Sequence, residues 1–166
     1  MAEKPKHTEF INNEKGQFGI TKIYVKDISF ETPNSPGIFS EEWKPSVDLQ
    51  VANEGSIFSE EMKDLYDVVL RVTVTVKVGD KIAYLVEVQQ AGIFHIVGFN
   101  KDAVSHMLAT ICPNILFPFA REIVSDLVTR GGFPQLLLSP VNFDALYAQE
   151  KMKAQKQKKE DTAGEK

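Results

Sequence analysis

The first sustained pattern of apolar and polar positions is FGITKIYVKDISFE, residues 18–31. Strict alternation is the mark of a strand with one buried face. Its even positions, Phe18, Ile20, Tyr24, Ile28 and Phe30 among them, are mostly apolar, and the odd ones end in Asp27, Ser29 and Glu31. Ile23 and Val25 break the rule, which predicts a bulge or a second buried surface within this strand. After the turn cluster TPNSPG, KPSVDLQVAN alternates again, with Val47, Leu49 and Val51 on one face. NEGSIFSEEMKD reads as a loop. LYDVVLRVTVTVKV, residues 65–78, is the clearest strand: Tyr66 and every second residue through Val78 form one apolar face, opposite Arg71, Thr73, Thr75 and Lys77. Gly79-Asp80 predicts a two-residue hairpin, because glycine supplies the positive φ of a type II′ turn. The returning strand, KIAYLVEVQQAGIF, turns Ile82, Tyr84, Val86 and Val88 inward and Ala83, Leu85, Glu87 and Gln89 outward. Short links between successive strands predict an antiparallel sheet with one solvated face.

The period then changes. Beyond Asp102, which reads as an N-cap, Val104, Met107, Leu108 and Ile111 recur at helical spacing. Cys112-Pro113 is expected to end that helix and Asn114 to open another, with Leu116, Phe119, Ala120, Ile123 and Leu127 on one stripe. Pro118 falls early enough in the second helix to be tolerated. Gly131 and Gly132 stop it. Asn142 and Asp144 open a third helix whose apolar side is brief, and from Glu150 onward the Lys- and Gln-rich sequence is expected to fray. Four strands followed by helices make an α+β fold, a four-stranded antiparallel sheet with helices packed on one face.

Bulk properties narrow the classes. A chain of 166 residues, 43% apolar and 25% charged, suits one soluble domain. Three parts are expected: a flexible segment over 1–16, the folded domain over 17–150, and a charged, disordered tail over 151–166. No apolar run approaches the roughly 20 residues of a membrane span, so direct membrane insertion is not expected. MAEKPKHTEF lacks the apolar stretch of a secretory signal. The single cysteine, Cys112, forms no intrachain disulfide and suits a reducing compartment, so a cytoplasmic location is expected. The net charge of −4 is uneven: residues 1–150 hold 13 basic and 20 acidic groups, residues 151–166 hold 6 and 3. An acidic body argues against nucleic acid and for a basic partner, although solubility alone would account for it as well.

Catalytic chemistry finds little support. There is no phosphate-binding glycine loop and no CxxC or HExxH, and His7, His95 and His106 are scattered. No cofactor, metal or catalytic residue is expected. An enzyme would have to pair Cys112 as nucleophile with His106 as base, yet a cysteine between an apolar helix and a proline reads as a buried, inert thiol.

Two surfaces invite a binding role. Asp27 and Glu31 lie on the outward face of one strand, and Glu87 lies beside Leu85 on that of another. Separated carboxylates around an exposed leucine suit a basic segment with an apolar anchor, or are an ordinary polar face. The second is RGGFPQLLLSPVNF, residues 130–143, a connection with two glycines and two prolines that still carries Phe133, Leu136, Leu138 and Phe143. Either these side chains close over the sheet as a lid, or they border an open apolar groove. In the second case Trp43, Val47, Leu49 and Val51 supply the opposite wall, Tyr147 joins the lining, and extended polypeptide binds with little sequence preference.

FGITKIYVKDISFETPNSP, LRVTVTVKVGDKIAYLVEVQQAGIF and CPNILFPFAREIVSDLVTRGGFPQLLLSPVNFDALY, in that order, closely resemble the SecB family of protein-export chaperones, from about Phe18 to Tyr147. The resemblance implies an ATP-independent cytosolic holdase, built as a homotetramer of two dimers. It would bind non-native precursors along grooves formed by strands, helices and the crossover connection, and pass them to the ATPase SecA. It further implies that Asp27, Glu31, Leu85 and Glu87 contact the basic, zinc-bearing C-terminal segment of SecA. The cationic stretch AQEKMKAQKQKKE departs from the family's acidic or polar ending, so no SecA contact is carried over to it. Two other readings stay open: a carrier holding a small apolar ligand in a closed cavity, and a SecB-like chaperone dedicated to one client.

Overall fold

The computed structural model describes residues 8–13 and 16–163, with side chains over 16–157. Strands β1 (Thr8–Asn13), β2 (Gly16–Glu31), β3 (Pro45–Ile57), β4 (Leu65–Val78) and β5 (Lys81–Val97) form one antiparallel sheet in the order β1-β2-β5-β4-β3. The four anticipated strands are all present. A fifth, β1, stands where a flexible segment was expected, and pairs with the first residues of β2. β3 also runs on through Asn53–Ile57, a stretch expected as loop, because the whole of it pairs with β4 from Tyr66 to Leu70.

The broken alternation of β2 has a simple cause. Its pairing with β5 slips between Ile20 and Lys22 and again between Val25 and Asp27. Each slip inserts one residue and flips the phase. Phe18 and Ile20 face the helices, then Ile23 and Val25, then Ile28 and Phe30, opposite Gly92, Gln90, Val88 and Val86. Tyr24, expected inward, therefore points to the outer face, where its hydroxyl donates to Asp67 Oδ1 at 2.9 Å. A similar slip at the start of β5 pairs Ile82 with Lys77 and leaves Ala83 fully buried, the reverse of their expected sides. Gly79 takes φ +58, as the hairpin requires.

The sheet order forces residues 32–44 to travel from β2 at one side to β3 at the other, across the β4–β5 hairpin end. Asn34 Nδ2 donates to the Ile82 carbonyl at 2.9 Å, and Lys81 pairs with Glu41. This path, which contains a 3-10 turn at Gly37–Ser40, sets Ile38, Phe39 and Trp43 beside the end of the sheet.

The helical half differs from expectation at Cys112-Pro113. α1 (Lys101–His106), a π turn (Met107–Ile111) and α2 (Cys112–Arg130) run on as one helix, Lys101–Arg130, capped by Asn100, which accepts from the Ala103 N–H at 2.8 Å. Asp102 lies in the first turn, and Asn114 inside the helix caps nothing. Proline lacks an N–H and crowds the preceding turn. The π turn absorbs this: the Cys112 N–H reaches back five residues to the Met107 carbonyl. The Leu108 carbonyl is thereby left without a helical donor, and Asn53 of β3 supplies one, Nδ2 to O at 2.9 Å. Replacing Asn53 by alanine should cost about 1–2 kcal/mol by leaving that carbonyl unpaired, measured by urea unfolding.

By length and composition the joined helix would suffice to cross a bilayer. In this fold it lies on β4 and β5 along Leu116, Ala120, Val124 and Val128, all fully buried, so the helices cover one sheet face. α2 ends with Gly132 at φ +84, the Gly132 N–H on the Thr129 carbonyl and the Phe133 N–H on the Val128 carbonyl. That closure is a Schellman motif, which turns the residue after the glycine back onto the helix end. α3 (Phe143–Ala163) opens as expected on Asn142, whose Oδ1 accepts from the Ala145 N–H at 2.9 Å. It does not fray at Glu150: the expected disordered tail is helix as far as Ala163, because Lys, Gln, Glu and Ala are strong helix formers and no glycine or proline interrupts them.

Candidate functional site

The crossover connection and the edge strand β3 build an apolar trough on the helix side of the sheet. Val47, Leu49 and Val51 lie opposite Val76, Val74 and Val72, which are buried, while Val47 and Leu49 remain 48% and 37% exposed. Among the described residues β3 is the edge strand, with β4 alone beside it. At the start of β3 lies a cleft of about 180 Å³ lined by Ile38, Phe39, Glu41, Trp43, Gly132, Phe133 and Pro134. Further along lies a second, of about 120 Å³, lined by Val51, Asn53, Ala109, Phe143, Leu146, Tyr147 and Glu150. Pro45 to Val51 spans roughly 20 Å of extended chain. The two clefts are thus the ends of one stretch, with Val47 and Leu49 between them.

The greasy connection proves to be both lid and border. Phe133 is buried, its ring 4.9 Å from Tyr84, 5.0 Å from Phe39 and 5.7 Å from Trp43. Leu138 and Phe143 are buried too, and Leu136 is half-buried in the same core. These four anchor the connection, and Phe133 and Phe143 floor the clefts. The apolar surface left accessible beside them comes from Phe39, Trp43, Val47, Leu49, Leu146 and the half-buried Val51 and Tyr147. Phe39 and Leu146 were not anticipated. Phe39 follows the turn cluster TPNSPG and precedes the strand that carries the alternation, and Leu146 directly precedes Tyr147 on the brief apolar side of the third helix. Burial raises the Tyr84 phenol to about 12, so it stays neutral and serves as packing for Phe133 and Phe30.

The opposite sheet face carries the carboxylates. Register places them in cross-strand rows: Glu31, Leu85, Thr75 and Asp48 in one, Ser29, Glu87, Thr73 and Gln50 in the next, Asp27, Gln89, Arg71 and Ala52 in the third. Asp27 and Glu31 are exposed, Leu85 and Glu87 half-buried, and all four share this face. Glu87 is held in place: Thr73 Oγ1 donates to its Oε2 at 3.2 Å and Gln89 Nε2 to its Oε1 at 3.3 Å. Arg71 Nε lies 3.8 Å from that same Oε1. Asp48 adds an acid that alternation along β3 already implied, since it falls between the inward Val47 and Leu49. The trough and the acidic rows lie back to back on one sheet.

The sequence profile described as "Preprotein translocase subunit SecB" matches residues 11–155. The chain belongs to the SecB family. It is 57% identical to the protein-export protein SecB of Nitrosococcus oceani over 144 residues, 86% of each chain. It is 51% identical to that of Pseudomonas syringae pv. syringae over 93% of this chain and 94% of the relative, and 48% identical to that of Marinobacter nauticus over 99% and 96%. Among solved structures, a Mycobacterium tuberculosis SecB-like chaperone in complex with a ChAD peptide from the HigA1 antitoxin shares the fold. Its TM-score is 0.63 at 16% identity, covering 75% of this chain and 91% of that one.

Membership of the SecB family makes the chain a protein-export chaperone. The thiol that an enzyme would have needed is fully buried in this fold, and burial pushes its pKa well above the ordinary cysteine range. His106 is occupied elsewhere: its Nε2 lies 3.1 Å from Asp144 Oδ1 and its ring meets Tyr147 edge-on, so it ties the start of α3 to α1.

Proposed function

We propose that the chain is an ATP-independent, cytoplasmic holdase that captures extended segments of non-native precursors in the trough beside β3. It hands them to SecA through the outer face of the same sheet. The observation that carries this reading is the exposed Val47–Leu49 stripe lying between two clefts, each with aromatic side chains in its wall. A stretched polypeptide laid along it would place apolar side chains at both ends and between. Each buried contact contributes at roughly 25 cal/mol per Å², less the cost of ordering the client, so affinity grows with the number of sites engaged. Catalysis, cofactor, metal and nucleic acid have no part in the scheme. The small-ligand carrier is disfavoured, because it needs a closed apolar cavity and both clefts open to solvent. In a homotetramer the trough is repeated in each subunit, and Phe119 and Leu137, 43% and 68% exposed, give apolar surface on the outer side of α2 and the connection for such assembly.

Refolding kinetics test the reading. A denatured precursor diluted into buffer without nucleotide should refold more slowly in the presence of the protein and form a stable complex; unaltered refolding and no complex would exclude a holdase.

Delivery is assigned to Asp27, Glu31, Leu85 and Glu87, the carboxylates attracting a basic segment and Leu85 giving it an apolar anchor. Replacing Glu87 by lysine should weaken SecA binding by about tenfold or more, since like charges then meet across the interface. Client holding should be unchanged, because Glu87 lies on the sheet face away from Leu49. Equal loss of both activities in a titration of the variant would show that the two surfaces are not separate.

A further inference from the structure

We propose that Arg71 is a built-in competitor for the basic partner: it lies against Glu87 in the free protein, must give way when the partner's cation arrives, and so sets the affinity of the acidic sheet face. The proposal rests on the SecA-binding reading above and concerns how that surface is tuned.

Three observations lead to it. First, β4 brings a guanidinium onto the acidic face. Arg71 stands in the same row as Asp27, separated from it by Gln89, and one row from Glu87. Second, the Arg71–Glu87 pair is loose. At 3.8 Å it exceeds the 2.7–2.9 Å of a charge-assisted hydrogen bond, and the two side chains are 47% and 33% exposed, so exchange of one cation for another meets little resistance. Third, Glu87 does not depend on Arg71 for its position. Thr73 holds one carboxylate oxygen and Gln89 the other, both as neutral donors. Arg71 therefore supplies charge without being needed for geometry. A carboxylate that is prearranged by neutral donors and only loosely covered by an exposed cation is poised for substitution. The cation also opposes the approach of like charge, which makes the face selective for segments basic enough to displace it.

The test is a titration of the zinc-loaded C-terminal segment of SecA against the intact protein and the variants Arg71→Gln, Arg71→Lys and Glu87→Gln. Arg71→Gln should bind about two- to fivefold more tightly at low salt, the scale expected for an exposed ion pair. The gain should shrink as salt rises. Arg71→Lys, which keeps the charge, should bind as the wild type does. Glu87→Gln should bind more weakly, and in that background most of the gain from Arg71→Gln should disappear. Unchanged or weaker binding by Arg71→Gln, with Glu87→Gln still weakened, would overturn the competitor role and leave the docking surface standing. A gain of the same size without the Glu87 charge would also overturn it, since Arg71 would then act by general repulsion. Binding unaffected by Glu87→Gln would remove the docking surface itself, and the inference with it.

Discussion

Replacement of Leu49 by glutamate is expected to abolish client holding while leaving the protein folded. Leu49 lies on the edge strand, 37% exposed, with its backbone paired to Val74 of β4. A carboxylate there can turn toward water, so the fold loses part of one apolar contact, on the order of 1 kcal/mol. A bound client changes that balance. An apolar segment laid along the stripe would strip water from the charge, and desolvating an unpaired carboxylate costs several kcal/mol. Each 1.4 kcal/mol is a factor of ten, so affinity for an unfolded precursor should fall by about a hundredfold. Leu49→Ala, which removes contact without adding charge, should lose much less. The refolding rate of a denatured precursor reads the effect, with circular dichroism confirming the fold. A folded Leu49→Glu variant that still retards refolding fully would take Leu49 out of the site.

Replacement of Phe133 by alanine should produce the largest loss of stability. Phe133 is 5% exposed, enclosed by Tyr84, Phe39 and Trp43, and carries the connection leaving α2. Truncating a buried phenylalanine costs about 3–5 kcal/mol, which for a chain of this size lowers the melting temperature by roughly 10 °C. The first cleft loses its floor at the same time, so holding should weaken as well. Trp43 is the only tryptophan and contacts the Phe133 ring, so its emission reports the change directly and should shift to the red. An unshifted emission and an unchanged melting point would mean that the Phe133 ring does not anchor the connection. A charged residue at this position would be a poorer probe of the trough than Leu49→Glu, because it would disturb the core first.

Much of this was legible in the chain, and the misses share a cause. β4, with its seven alternating apolar positions from Tyr66 to Val78, could be read in both extent and facing. So could the outward placement of Leu85 and Glu87 on β5, while Asp27 and Glu31 come out on the expected side because the two phase reversals of β2 cancel before them. β2 was harder: its two bulges reverse the phase twice, and nothing local says where a bulge falls, so Tyr24 was turned the wrong way. The Pro113 break failed because a π turn accommodates the proline, and its unpaired Leu108 carbonyl is met by Asn53, some 55 residues away in sequence. No window of neighbouring residues contains that partner. The trough shows the same limit. Trp43, Val47 and Leu49 were visible as an apolar series, but the burial of Phe133, Leu138 and Phe143 depends on where the connection crosses the sheet. Phe39 entered the site because residues 32–44 must pass over the β4–β5 hairpin end, a consequence of strand order alone.

The central claim is that extended clients lie on the helix side of β3, and adjacent residues test it most directly. Val47 faces the trough and Asp48 the opposite side of the sheet, one residue apart in a strand that reverses side at each step. A photo-crosslinking residue placed at each position in turn, in the presence of a denatured precursor, should capture the client from Val47 and not from Asp48. Equal capture from both, or capture from Asp48 alone, would contradict the account.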